Sequence, residues 1–409
     1  MIEPLWTPTP AQIETAKITE LRRAVSAQWQ VDLLDSTALW RFSVDEREKF
    51  WRTIIDFCDL KGETWGEQDS VDVDKLPGAK WFPDARFNFA ENLLKRRDDG
   101  EALVFWGEDK VRRRMTFAEL YDAVSQLAQA LHTEGVEPGD RVVGYMPNTP
   151  EAIISMLAAA SLGATWSSCS PDFGLQGVLD RFGQIEPKVL IACDGYFYNG
   201  KTHDIRKKTA DLVSGVPSIQ RVIIVPYALT EPDISGIRDA VDFTNFVGNF
   251  TPADIQFAQM PFSHPLYILY SSGTTGQPKC IVHEAGGMLL KHAVEQVAQF
   301  SIGPDSRVFW FTTLGWMMWN WLASNLAWGA TLLLYDGSPF YPDGNVLWDF
   351  AAQEEMTLFG TSAKYIDACN KAGLKPMDTH DLSSLRSIGS TGSTLVPEGF
   401  DYVYSSIKS

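Results

Sequence analysis

"YSSGTTGQPK", residues 270–279, follows directly on the apolar run Leu266-Tyr267-Ile268-Leu269-Tyr270. A run of hydroxyls and glycines leaving a buried strand marks a phosphate site, because ligands of open parallel sheets bind outside the carboxyl ends of the strands. Gly273 and Gly276 admit backbone conformations closed to other residues and let the chain approach a ligand closely. The loop amides form an anion-binding nest. Ser271, Ser272, Thr274 and Thr275 add hydroxyls, and Lys279 adds a charge at the far end. The spacing is not that of a P-loop, which needs GxxxxGK[ST] with its lysine in the first turn of a helix. Here Pro278 precedes the lysine and Cys280 stands where a magnesium-binding hydroxyl belongs, which disfavours a P-loop ATPase or kinase. Which phosphate the loop holds stays open on these residues alone.

Working outward, strands and helices alternate on both sides of the loop. Thr116 and Glu119 make a capping box ahead of Phe117, Leu120, Tyr121, Val124, Leu127, Ala128 and Leu131, which predicts an amphipathic helix. Gly135 and Pro138-Gly139 end it, "RVVGYM" (141–146) reads as a buried strand, and a second helix runs from Pro150 through Leu162. "KVLIAC" (188–193) and "RVIIVP" (221–226) continue the pattern, and residues 227–262 read as an irregular connection. Beyond it "LYILY", "RVFWFT" (307–312), "ATLLLY" (330–335), "TLFG" (357–360) and "LRSIGS" (385–390) predict a second sheet, with a last helix from Pro397. The expected fold is α/β, with two parallel-sheet lobes covered by helices and the second sheet incomplete. The expected division is a tryptophan-rich helical cap over 1–100, a first lobe over 101–240, and a second lobe over 241–409 that carries the phosphate loop.

Composition narrows the function classes. The chain has 409 residues and a formal net charge of −17, so nucleic acid and anionic membranes, which are bound through lysine and arginine, are not expected partners. The clusters "KRR" (95–97), "RRR" (112–114) and "RKK" (206–208) read as solvated faces. Five cysteines without CxxC spacing point to a reducing, cytoplasmic setting without structural zinc, and the acidic, proline-broken N-terminus fits no targeting signal. No histidine spacing suggests a metal site, and nothing in the sequence speaks to oligomeric state.

The loop resembles that of the adenylate-forming superfamily of acyl-CoA synthetases, luciferases and peptide-synthetase adenylation domains, with Ser272, Gly273, Thr275, Gly276, Pro278 and Lys279 in place. "WFPDARFNFAENLL", "MTFAEL", "VVGYMPNTPEAIISMLAAASLGA", "SPDFG" and "KCIVHEAGGMLL" occur in the order of the acetyl-CoA-synthetase-like group, so the resemblance covers essentially the whole chain. "LWTPTPAQIETAKITELRRAV", "TTLGWMMWNW" and "STGSTLVPEGFDYVY" are similar to members of that group that act on acetoacetate. The resemblance implies ATP-dependent activation of a short acid as an acyl-adenylate, then transfer to coenzyme A, with Mg2+ screening the phosphates. Acetate, propionate and butyrate are the neighbouring acids, and a non-catalytic nucleotide-binding remnant is the reading from another class.

The resemblance also implies residue roles. Ser271, Ser272, Gly273, Thr274, Thr275, Gly276 and Lys279 would hold the β- and γ-phosphates of ATP, with Thr275 and Lys279 in catalysis. Gly392, Ser393 and Thr394 would meet the nucleotide base, although the group has Gly-Glu-Pro there. Trp316, Met317, Met318 and Asn320 would line the acyl pocket with Thr391 opposite, and Asn320 or Thr391 would meet a keto oxygen. Lys201 would contact coenzyme A where the group carries arginine. The group's later Thr-Glu strand, ribose-binding aspartate, hinge and small C-terminal domain are not found before Ser409, so the chain is expected to be a fragment with little or no activity alone.

Overall fold

The computed structural model describes residues 4–271 and 276–409. After a helical N-terminal region come β1 (Glu101–Gly107) and β2 (Val111–Thr116). Then β3 (Arg141–Tyr145), β4 (Thr165–Cys169), β5 (Val189–Cys193), β6 (Arg221–Val225) and β7 (Ala240–Asp242) follow. β8 (Pro265–Ser271) and β9 (Lys279–Glu284) form a hairpin, and β10 (Arg307–Trp310), β11 (Thr331–Asp336), β12 (Leu358–Ser362) and β13 (Ser387–Thr391) complete the strands of the two main sheets.

One sheet has seven strands in the order β7-β6-β5-β3-β4-β8-β9, parallel except for β9. The other has six in the order β13-β12-β10-β11-β1-β2, parallel except for β2. The sheets therefore do not follow the expected linear division. β1, early in the chain, pairs with β11 (Leu103 opposite Leu332). β8, which leads into the expected phosphate loop, pairs with β4 (Tyr267 opposite Trp166) and so belongs to the first sheet, not the second. Each of these strands is an apolar run buried on both faces, and such a run carries no mark of its neighbour.

Local chemistry accounts for the helices. The Thr116–Glu119 capping box forms as expected, Thr116 N donating to Glu119 Oε2 over 2.8 Å and Glu119 N to Thr116 Oγ1 over 3.1 Å. It starts the helix Phe117–Thr133, whose apolar face is buried. The helix Pro150–Ser161 is buried at every position, as expected of an element apolar all round. Its last carbonyls are satisfied by Asn88, whose Nδ2 donates to Ala160 O (3.0 Å), Ser161 O (3.2 Å) and Ala258 O (2.8 Å). One buried amide thus joins the N-terminal region, the first sheet and the connection between lobes.

That connection is less irregular than expected, since it contains β7 and a short helix, Phe243–Val247. Its remaining backbone runs along the helix Phe117–Thr133. Gln126 and Gln129 donate to Phe250 O and Thr251 O, Ser125 exchanges two bonds with Ala253, and Tyr121 Oη accepts from Ile255 N. Side chains of one helix replace a strand partner there.

The basic clusters are not merely solvated. Arg112 lies over the Trp106 ring at 3.7 Å, and Arg114 bridges Glu101 and the buried Glu354. Arg96 and Arg97 lie over Phe117 and Tyr121, and Lys208 donates to Pro171 O over 2.9 Å. Their aliphatic stems and flat guanidinium groups cover apolar surface that a smaller polar residue would leave open.

Candidate active site

Ser271 and Lys279 are register partners on the β8–β9 hairpin, with Tyr270 opposite Cys280 on the next rung. After Lys279 the chain runs on as a strand rather than a helix. That geometry agrees with the exclusion of a P-loop. Ser272, Gly273, Thr274 and Thr275 lie outside the described residues. Ser271 is half-buried and Lys279 exposed. Gly276 has φ +112°, a conformation that favours glycine, and open space where a Cβ would stand.

The loop's two stems are braced by a helix that sequence reasoning passed over. From Leu175–Ile185, Arg181 lies over the rings of Phe173 (4.7 Å) and Tyr270 (5.6 Å), and Gln184 Nε2 donates to Pro278 O over 3.0 Å. Below the hairpin, Ser167 Oγ bonds Ile268 O and Tyr270 Oη at 2.8 and 3.0 Å. Burial pushes the Tyr270 phenol well above its ordinary range, so it stays neutral.

The second sheet reaches this edge through the loop after β10. Ser168 Oγ at the end of β4 donates to Leu314 O over 2.8 Å, and a Cβ on Gly315 would lie 2.8 Å from the Phe173 ring. Trp319, in the helix Met317–Ser324, donates its indole N–H to Asn148 Oδ1 over 2.8 Å and packs on Trp166, ring centroids 6.4 Å apart. The expected pocket segment is therefore anchored on the first sheet by a residue the sequence reading did not select. Of the expected lining, Trp316 is 66% exposed and Met317 37%, while Met318 is half-buried. Asn320 is buried, and neither its Nδ2 nor its Oδ1 has a hydrogen-bond partner among the described residues. A buried amide with both ends unmet is costly in an empty protein, and a bound polar group would relieve it.

Thr391 ends β13 opposite Ser362 of β12, and Gly392, Ser393 and Thr394 follow it, all exposed. Gly392 has φ +86° and open space beyond its Cα. β13 and β10 are two strand spacings apart, about 10 Å, so 391–394 and the loop after β10 flank the end of β12. There Thr361 is buried, and its hydroxyl has no partner among the described residues. Its burial in a strand interior gives no sequence signal.

Lys201 is exposed on the hairpin Gly195–Tyr198/Lys201–Asp204 after β5, opposite Tyr198. β5 and β8 stand three strand spacings apart, about 15 Å, so the structure does not bring Lys201 to the phosphate loop. Among the described residues no group of three His, Cys, Asp or Glu side chains gathers to hold a metal. A magnesium ion there would be carried by the nucleotide phosphates and loop hydroxyls, as suits its preference for phosphate oxygens and water.

A family model described as AMP-binding enzyme matches residues 89–404. The chain belongs to the AMP-binding enzyme family. It is 52% identical over 408 residues to the acetoacetyl-coenzyme A synthetase of Rhizobium meliloti (strain 1021), covering 99% of this chain and 62% of that one. It is 41% identical to the acetoacetyl-CoA synthetase of Mus musculus over 99% of this chain and 61% of the relative. The solved acetoacetyl-CoA synthetase from Streptomyces lividans superposes with a TM-score of 0.93 at 42% identity, covering 99% of this chain and 62% of that one. This similarity agrees with the expected adenylate-forming fold. The chain spans about 62% of the length of these relatives. No helix among the described residues is long and apolar enough to cross a membrane.

Proposed function

We propose that this chain is the larger part of an acetoacetate–coenzyme A ligase acting in the cytoplasm. In the first step a carboxylate oxygen of acetoacetate attacks the α-phosphorus of ATP, the bond to the bridging oxygen breaks, and diphosphate leaves. In the second the coenzyme A sulfur attacks the acyl carbonyl, its proton is lost, and AMP leaves. The observation that carries the reading is the 52% identity to an acetoacetyl-coenzyme A synthetase over 99% of the chain.

The first step brings one anion onto another, so it needs fixed geometry and screened charge. Ser271–Gly276 and Lys279 serve the β- and γ-phosphates, with Thr275 and Lys279 acting on the transferring group, and Mg2+ when bound adds charge neutralisation there. Gly392, Ser393 and Thr394 lie under the adenine. Trp316, Met317 and Met318 bound the acyl chain, and Asn320 or Thr391 donates to the keto oxygen. The unmet buried amide of Asn320 supports this assignment. Lys201 contacts a phosphate of coenzyme A.

ATP–diphosphate exchange with a panel of acetoacetate, acetate, propionate and butyrate tests the reading in an enzyme of the relatives' length. Acetoacetate is expected to exchange fastest. Fastest exchange with acetate rejects it in favour of a neighbouring synthetase, and no exchange with any acid favours a non-catalytic nucleotide-binding protein.

A further inference from the structure

Glu108 is fully buried and sits at φ +45° in the turn after β1, a conformation that few non-glycine residues adopt. Its carboxylate is met by three backbone amides from two directions. Oε1 accepts from Asn199 N over 2.6 Å and from Ser338 N over 2.9 Å, and Oε2 accepts from Gly200 N over 2.9 Å. Asn199 and Gly200 are the two central residues of the hairpin that carries Lys201, with φ +53° and +73°. Asn-Gly with both φ positive is the preferred two-residue hairpin turn, and it leaves amides that the hairpin itself does not use.

The surroundings leave this turn little freedom. A Cβ on Gly200 would stand 2.5 Å from the Tyr341 ring, and one on Gly337 would stand 2.1 Å from Glu108 Cγ. Arg112 in turn donates to the carbonyl of Glu108. A strained, buried carboxylate is costly, and such strain persists where surrounding structure enforces it for a purpose. Here the clamp ties a hairpin of the first sheet to loops of the second, one residue from Lys201.

We propose that Glu108 is a positioning residue for coenzyme A, fixing the Asn199–Gly200 turn so that Lys201 is held where the coenzyme A phosphates bind. This rests on the assignment of the hairpin to coenzyme A given above. The test is Glu108→Gln, whose amide nitrogen turns a donor toward amides that need an acceptor. Hydrogen exchange of the hairpin 195–204 is expected to speed up about tenfold, the scale of one lost charge-assisted bond, with exchange of β3–β6 unchanged. In an enzyme of the relatives' length, KM for coenzyme A is expected to rise about tenfold while KM for ATP in diphosphate exchange stays within about twofold. Gly200→Ala, which displaces the same turn against Tyr341 with Glu108 intact, is expected to give the same split and serves if Glu108→Gln does not fold.

Unchanged hairpin exchange in the Glu108→Gln protein overturns the proposal. So does a faster-exchanging hairpin with an unaltered KM for coenzyme A, or a parallel rise in both KM values. Lys201→Ala separates the two readings. If it leaves KM for coenzyme A unchanged while Glu108→Gln raises it, the lysine assignment and the proposal that Glu108 holds Lys201 both fall, while the hairpin's part in binding coenzyme A stands.

Discussion

Trp319 Nε1 donates to Asn148 Oδ1 over 2.8 Å, so a helix that follows a strand of the second sheet is pinned to a loop that follows a strand of the first. Both residues are buried, and Asn148 Nδ2 has no partner among the described residues. Trp319→Phe keeps most of the apolar contact with Trp166 but orphans the Asn148 oxygen. It is expected to destabilise the protein by about 1–3 kcal/mol, the cost of a buried acceptor left unmet. Denaturant unfolding of Trp319→Phe, Asn148→Ala and the double variant measures it, and additive losses would show that the bond contributes nothing.

Asn320 should respond in the opposite way. Because neither of its polar side-chain atoms is partnered, Asn320→Leu is expected to leave the melting temperature unchanged or raised. If its amide meets the keto oxygen, the variant loses about tenfold in preference for acetoacetate over butyrate, a scale fitting one polar contact. A lower melting temperature with unaltered acid preference makes Asn320 a structural residue.

Lys279 is exposed at the start of β9 and forms no ion pair with the described residues. Lys279→Ala is expected to slow diphosphate exchange by about 10²-fold, as for loss of one donor to a transferring group, without moving the unfolding midpoint. Exchange at the wild-type rate removes it from the catalytic set.

Asp336 ends β11 half-buried, accepts from Tyr227 Oη over 2.8 Å, and is pushed up to about 7 by removal of its carboxylate from water. A carboxyl with a folded pKa above its unfolded one binds more protons folded than unfolded. Its contribution is therefore most favourable below the unfolded value of 3.8 and declines as pH rises toward about 7. Asp336→Asn removes that decline, so unfolding free energies from pH 4 to 8 should fall less steeply in the variant than in the wild type. Parallel curves contradict the assignment.

The sequence made the strand rhythm legible because a buried strand is a short apolar run between turn residues. The capping box at Thr116 and Glu119 and the proline at position 150 were legible because capping is decided within one turn. Pairing was not. β1 and β8 crossed the expected lobe boundary because hydrogen-bonding partners are chosen by packing over a hundred or more residues of chain. In the candidate site, the glycines and hydroxyls of the loop carried a readable expectation of phosphate binding, whereas Trp319, Asn148 and Thr361 looked like ordinary core. The Asn199-Gly200 hairpin could have been read, since Asn-Gly is a strong turn signal. Glu108 could not, because its partners are backbone amides 91, 92 and 230 residues away.

The most direct test of the account is to identify the products formed from ATP, acetoacetate and coenzyme A by an enzyme of the relatives' length. The account predicts AMP, diphosphate and acetoacetyl-CoA in equal amounts. ADP and inorganic phosphate as the nucleotide products would contradict it.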